Sequence, residues 1–271
     1  MFGMGVIEMG VTKASAVLTI AGADPSGGAG IQRDIKTFRD YGLVGLSVIT
    51  ALTAQSQKRV KAVFPVPAAF VVRQIETLFE EYRIDVVKLG MLAKGDTVLA
   101  LARLFKKAKF KKIVVDPVLV SSSNYPLLDK KGIILLKEQL LPLATIVTPN
   151  LNEAAVLAGM KKVSNPEDMK QAAIKIKGLG PMFVLIKGGH LKAVRSQESG
   201  VRRKSEKAVD ILYDGREFKT FSAPKIDKEI HGTGCILSSA IAAGMAKGMG
   251  VEDAVKRAKA YTTKTIKEFW N

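Results

Sequence analysis

The chain has 271 residues, 47% of them apolar and 25% charged, a balance that excludes a disordered tail and suits one large α/β domain or two small ones. One cysteine, Cys235, excludes an internal disulfide and a multi-cysteine zinc site, and two histidines, His190 and His231, argue against a histidine-rich metal centre. The 42 Lys and Arg against 25 Asp and Glu give a formal charge of +17, which raises nucleic-acid binding as a function class. The basic residues are spread along helical faces and mixed with acids, aromatics are only 6%, and Arg202, Arg203 and Lys204 form a tight run without base-stacking partners. A solvated, Lys-rich surface is therefore expected, with no nucleic acid and no membrane as partner. The richest apolar stretch, 132–147, is broken by Lys137, Glu138, Gln139 and Pro142, so it falls short of the roughly 20 apolar residues a span needs. Cysteine usage points to an intracellular, cytoplasmic chain. Met1–Lys13 lacks the basic start of a secretory signal and reads as a flexible extension, leaving 14–271 as a single domain.

Apolar β-rich runs alternate with amphipathic windows in chain order. Strands are expected at Ala16–Ala21, Leu46–Leu52, Val60–Val66, Val86–Leu89, Ile113–Asp116, Thr145–Thr148, Phe183–Lys187 and Val209–Tyr213. They are nearly continuous in Val, Ile and Leu, as strands covered on both faces are. Helices are expected at Ala29–Tyr41, Ala68–Tyr82, Asp96–Lys107, Leu128–Leu140, Asn152–Ala158, Pro166–Gly178, Gly234–Lys247 and Val251–Phe269. Asn165-Pro166-Glu167-Asp168 carries a capping amide, Pro at the first helical position and acids in the first turn. Repeated strand–helix units predict an α/β fold with a mostly parallel central sheet and helices on both faces. The polar, basic stretch Ala193–Lys207 reads as a loop within that domain.

Five motifs fall at expected strand carboxyl ends, where ligands bind in such sheets. Gly22 through Gly30 is a Gly-rich turn between a strand and a helix, but neither a Walker A loop nor a complete dinucleotide fingerprint. His231-Gly232-Thr233-Gly234-Cys235 leads into an Ala/Ile/Leu helix; its backbone N–H groups suit an anion, and the helix dipole is expected to favour the Cys235 thiolate. A small buried cysteine beside a tight turn is the alternative. Thr148-Pro149-Asn150-Leu151-Asn152-Glu153 places Asn150 and Glu153 three apart, fit for a hydrated Mg²⁺, for a capping box, or for both at once. Lys187-Gly188-Gly189-His190 offers a Lys to a nucleotide phosphate, and Asp116-Pro117-Val118 adds a second acid. No Ser-His-Asp triad or pair of hydrolase carboxylates is evident. Anion-holding backbone, a Lys, acids for Mg²⁺ and one candidate base suit phosphoryl transfer.

These residues resemble the hydroxymethylpyrimidine and phosphomethylpyrimidine kinases of thiamine biosynthesis, in the ribokinase-like superfamily. The likeness runs from Ala16 to the last helix. It includes Leu18–Gly22, Gly27–Gln32 with Asp34 and Lys36–Phe38, Ser47–Leu52 with Gln55, Lys88–Leu92 and the last four motifs above, all in the expected order. The resemblance implies a ribokinase-like fold, ATP, Mg²⁺ and a homodimer. It implies a pyrimidine pocket from Gly22, Ala29, Gln55, Met91 and Val118, with Gln55 reading the aminopyrimidine edge. It implies that Asn150, Glu153 and Asp116 organise Mg²⁺ and water, that Lys187 touches the nucleotide phosphates, and that Gly232, Thr233 and Gly234 form the anion hole. Cys235 stands where most ribokinase-like kinases place an Asp base. Three departures stand out: Ser121–Tyr125 replaces a Lys-Ser-Gly lid segment, Ala193–Lys207 is long and basic, and Ile230 stands where a polar residue is common. Competing readings are a pyridoxal-type vitamin B6 kinase and a non-catalytic ligand sensor or nucleic-acid binder.

Overall fold

A computed structural model describes residues 14–189, 207–226 and 231–268. The expectations for Met1–Lys13, for His190 and most of the basic stretch after it, and for Ile230 lie outside those residues. The described strands are β1 (Ala14–Ala23), β2 (Gly45–Gln55), β3 (Val60–Pro65), β4 (Tyr82–Leu89), β5 (Ile113–Val115), β6 (Ile146–Val147), β7 (Phe183–Gly188), β8 (Lys207–Tyr213) and β9 (Phe218–Pro224). The helices are α1 (Gly30–Asp40), α2 (Ala68–Glu81), α3 (Gly95–Ala108), α4 (Lys130–Leu135), α5 (Leu151–Ala158), α6 (Pro166–Lys177), α7 (Thr233–Ala246) and α8 (Val251–Glu268).

The strands form one sheet in the order β3-β2-β1-β4-β5-β6-β7-β8-β9. Pairing is parallel from β2 through β7 and antiparallel where β3, β8 and β9 extend the two sides. Neighbouring residues of a strand point to opposite faces, and the core divides accordingly. Leu18, Val87, Val115 and Ile186 pack with α2, α3, α5 and α6, whereas Val17, Val86, Val114 and Leu185 pack with α1, α7 and α8. This double burial explains why the strands read as continuous apolar runs.

Two local differences from expectation have physical causes. The window expected as one helix to Leu140 is α4, then a wider turn over Leu136–Leu140 and a tight turn containing Pro142, whose ring cannot continue an α-helix. Strand β9 was not expected. It alternates half-buried and exposed residues, Phe218, Phe221 and Ala223 among them, so its apolar signal is diluted. No helix among the described residues is long and apolar enough to cross a membrane.

Candidate active site

Two turns at the carboxyl edge of the sheet are pressed together. The first, between β1 and α1, is organised by Asp24, which is buried. Its Oδ1 accepts from the Ser26 N–H and hydroxyl at 2.9 and 2.8 Å, and its Oδ2 accepts from the Ala29 N–H at 2.9 Å. Gly30 has φ +61°, and a Cβ there would collide with the Gly22 carbonyl oxygen. The second turn enters α7 through Gly232, at φ +86°, where a Cβ would run into the Gly28 carbonyl oxygen. Only glycine accepts both the backbone angle and the contact. Helix α7 has no side-chain cap, so the N–H groups of Thr233, Gly234 and Cys235 stay available to an anion at its positive end.

The side chains implied for the pyrimidine pocket gather on the same edge. Met91 Sδ lies against Gly22, where an added Cβ would come within 2.9 Å. Met91 packs with Ala51, Ala93, Leu127 and half-buried Val118. The Thr50 hydroxyl donates to the Met91 carbonyl at 2.6 Å. Gln55 Nε2 lies 2.7 Å from His231 Nε2, which is also 3.2 Å from Asp24 Oδ2. Asp24 thus links Ala29 to the His231 turn, and His231 links that turn to Gln55.

Below the second turn is a charged floor. Lys187, at the end of β7, donates to Asp116 Oδ1 at 2.7 Å, and a Cβ on Gly234 would lie 3.1 Å from Lys187 Nζ. The Asp116 carboxylate also accepts from Thr148 at 3.3 Å and Ser238 at 3.1 Å. Burial opposes its charge, but Lys187 and Lys88 outweigh this and hold its pKa below the ordinary carboxylate value. Burial likewise opposes the charge on Lys187, yet Asp116 and Glu153 raise its pKa and keep it an ammonium. Glu153 is pushed up to about 7 by burial, with Lys187 pulling down and Asp116 pushing further up. Its Oε2 accepts from the Asn150 N–H at 2.8 Å, and Asn150 Oδ1 accepts from the Glu153 N–H at 2.9 Å. The capping box expected for this motif is formed, and it is compatible with the Mg²⁺ reading of the same residues.

One expectation needs correction. Position at a helix N-terminus does not favour the Cys235 thiolate. Its pKa is pushed up to about 11, first by burial; Lys88 pulls it back, while Asp34 and Asp116 add to the rise. The half-buried thiol keeps its proton at neutral pH because desolvation exceeds the dipole's help.

The polar network under α7 was missed. Asp34 of α1 accepts from Thr19 at 2.6 Å, Lys88 at 2.8 Å and Ser239 at 2.5 Å, all buried. Two signals were available: Lys88 interrupts an apolar strand run, and Asp34 lies between Ile31 and Phe38 on the buried face of α1.

The arrangement brings an uncapped helix start, a lysine, two carboxylates and the apolar cluster around Met91 to one edge. The family model for phosphomethylpyrimidine kinase matches residues 24–271. The chain belongs to the phosphomethylpyrimidine kinase family. It is 42% identical over 251 residues to the hydroxymethylpyrimidine/phosphomethylpyrimidine kinase of Aquifex aeolicus, covering 92% of this chain and 93% of that one. It is 44% identical to the thiamine biosynthesis bifunctional protein of Geobacter sulfurreducens, covering 93% of this chain but about half (49%) of that protein's length. An ADP complex of Bacillus subtilis pyridoxal kinase superposes with a TM-score of 0.80 at 37% identity, covering 92% of this chain and 90% of that one. The fold is thus ribokinase-like, and the activity is that of a phosphotransferase.

Proposed function

We propose that the chain phosphorylates 4-amino-5-hydroxymethyl-2-methylpyrimidine and then its monophosphate, with ATP as donor. The observation that carries this reading is the seating of the His231–Cys235 turn on the Gly22–Gly30 turn, with Gln55 and Met91 at one side and Lys187 at the other. In it, Gln55 faces the amino edge of the ring, while Gly22, Ala29, Met91 and Val118 enclose its faces. Backbone N–H groups from Gly232 to Gly234 hold the oxygens of the transferred phosphoryl group, and Lys187 offsets charge on the nucleotide phosphates. The Cys235 thiol relays the hydroxymethyl proton: as the new P–O bond forms and the bond to the departing ADP breaks, it takes that proton and passes its own to an oxygen of the transferred phosphoryl group; the monophosphate acceptor is already anionic and has none to remove.

The donor set bears on Mg²⁺. Among the described residues, no group of three or more acidic, Cys or His side chains could cage a metal ion. Both oxygens of Asp116 are already hydrogen-bonded. Two neighbouring carboxylates still suit a hydrated Mg²⁺ that takes its remaining ligands from water and phosphate. Glu153 and Asp116 would hold it through water, where it supplies charge neutralisation for the nucleotide; Asn150 keeps Glu153 aimed.

The reading includes a homodimer. Leu52 and Phe64 are paired across β2 and β3, are 49% and 69% exposed, and offer an apolar edge to a second copy. Light scattering that returns a monomer removes that part. The substrate is tested by initial rates on the hydroxymethylpyrimidine, its monophosphate and pyridoxal, each with Mg-ATP. Turnover of pyridoxal alone favours the vitamin B6 reading and overturns this one.

A further inference from the structure

Lys88 and Asp34 form an ion pair with no exposed side-chain surface on either partner. The pair ties four elements together: Thr19 from β1, Asp34 from α1, Lys88 from β4 and Ser239 from α7. Such pairs seldom stabilise a fold relative to apolar residues of similar shape. Stability is therefore a weak reason for this one.

Its position suggests another reason. Ser238 and Ser239 lie three and four residues beyond Cys235, on the same side of α7. Ser238 donates to Asp116 and Ser239 to Asp34, so the second turn of the helix is fastened to two buried carboxylates at once. Lys88 Nζ sits under Gly90, where an added Cβ would come within 3.0 Å of it. The charges of Cys235 and Asp116 both act on Lys88. An ammonium has three donors. One is engaged by Asp34. A buried cation is therefore held beneath α7, linked to it through Asp34 and Ser239.

We propose that Lys88 is a positioning residue for phosphoryl transfer: a permanent buried cation, kept in place by Asp34, that supports negative charge at the Cys235 turn from beneath. It reaches neither substrate directly. Asp34 sets the height of α7 through Ser239, and Lys88 sets the potential there. The proposal rests on the transfer site assigned above, but one arm of its test does not.

That arm uses Cys235, the chain's single cysteine, as its own probe. Removing Lys88 alone strands a buried carboxylate and removing Asp34 alone strands a buried ammonium, so the comparison is the parent, which keeps the pair, against Asp34→Asn/Lys88→Met, which removes both charges, of which that of Lys88 acts more strongly on the thiol. The rate of iodoacetamide alkylation at pH 8 follows the thiolate fraction. It is expected to be at least about tenfold slower in the double variant, equal to one pKa unit of the thiol. At saturating substrates, kcat of the double variant is expected to fall at least about tenfold while both KM values stay within about threefold, the mark of an interaction made only in the transition state. Thermal unfolding checks that the double variant is folded. Equal alkylation rates in the parent and the double variant overturn the proposal whatever the enzyme's substrate is. So does an unchanged kcat in a folded double variant. A slower alkylation without any kinase activity in the parent would instead overturn the functional reading and leave Lys88 as the cation at the Cys235 turn.

Discussion

Glu153 allows a quantitative prediction. Its carboxyl is pushed up to about 7, from an ordinary 4.5. The folded chain therefore holds a proton through a pH window in which the unfolded chain has lost it. Stability falls as pH rises from about 4.5 to about 7, and the cost is fully present above that. At about 1.4 kcal/mol per pKa unit the displacement corresponds to roughly 3 kcal/mol. Coupling to Asp116 and Lys187 shares part of this among the three groups, so roughly 2 kcal/mol is a fair expectation for Glu153 alone. Glu153→Gln keeps an acceptor for the Asn150 N–H and removes the charge. Measured by thermal unfolding without nucleotide or Mg²⁺, the variant should match the parent near pH 5. It should exceed it by roughly 4–8 °C at pH 8, using the usual conversion for a chain of this size. Its turnover should nevertheless fall, because the lost charge is the one proposed above to hold a hydrated Mg²⁺. If parent and variant lose the same stability between pH 5 and pH 8, Glu153 is not the strained carboxylate and the reasoning fails.

Three further outcomes follow from the same geometry. Gln55→Leu should raise the KM for the pyrimidine by about tenfold or more, since an unpaired polar ring edge costs roughly 1–3 kcal/mol, while the KM for ATP holds; a parallel rise in both would place Gln55 elsewhere. Gly232→Ala must relieve both a positive φ and the contact with the Gly28 carbonyl, so the two turns separate; kcat should drop about a hundredfold, the usual scale for one lost oxyanion donor, and a drop under threefold argues against an anion hole there. Cys235→Ala should lower turnover of the alcohol about tenfold or more and turnover of the monophosphate much less, because proton removal matters only in the first step; equal losses on both substrates remove that role.

Strand and helix positions were readable because most elements carry their own signal. Double-sided burial makes β1, β5 and β7 nearly continuous in apolar residues, and Asn165-Pro166 announces α6 chemically; its Asn165 amide does accept from the Asp168 N–H at 2.8 Å. The site motifs were readable for a related reason. Gly30 and Gly232 occupy positions that other residues cannot, and such glycines cluster where chain segments meet. What stayed hidden depends on contacts between distant segments. Ser238 and Ser239 sit in an Ala-rich helix and look like filler until Asp116 and Asp34 are seen beneath them. The direction of the Cys235 shift was misread because a sequence shows the helix start but not the depth of burial or the two carboxylates nearby.

The neutral thiol answers a question that position 235 raises. Many kinases of this fold class carry an Asp where this chain has Cys235. An Asp suits an alcohol acceptor, whose proton it removes. Here the second acceptor is already a phosphate, and a fixed carboxylate would face it. At about 4 Å and an effective dielectric near 20, two unit charges repel by roughly 4 kcal/mol. A thiol held protonated by burial adds no such repulsion, yet its proton can still exchange with that of the alcohol during the first step. Cys235→Asp should therefore keep most of the kcat/KM on the hydroxymethylpyrimidine and lose about two to three decades on the monophosphate, less at high salt where part of the site is screened. Comparing kcat/KM for the two acceptors measures it directly. If Cys235→Asp weakens both reactions equally, the charge state of this side chain does not explain how one site serves an alcohol and a phosphate.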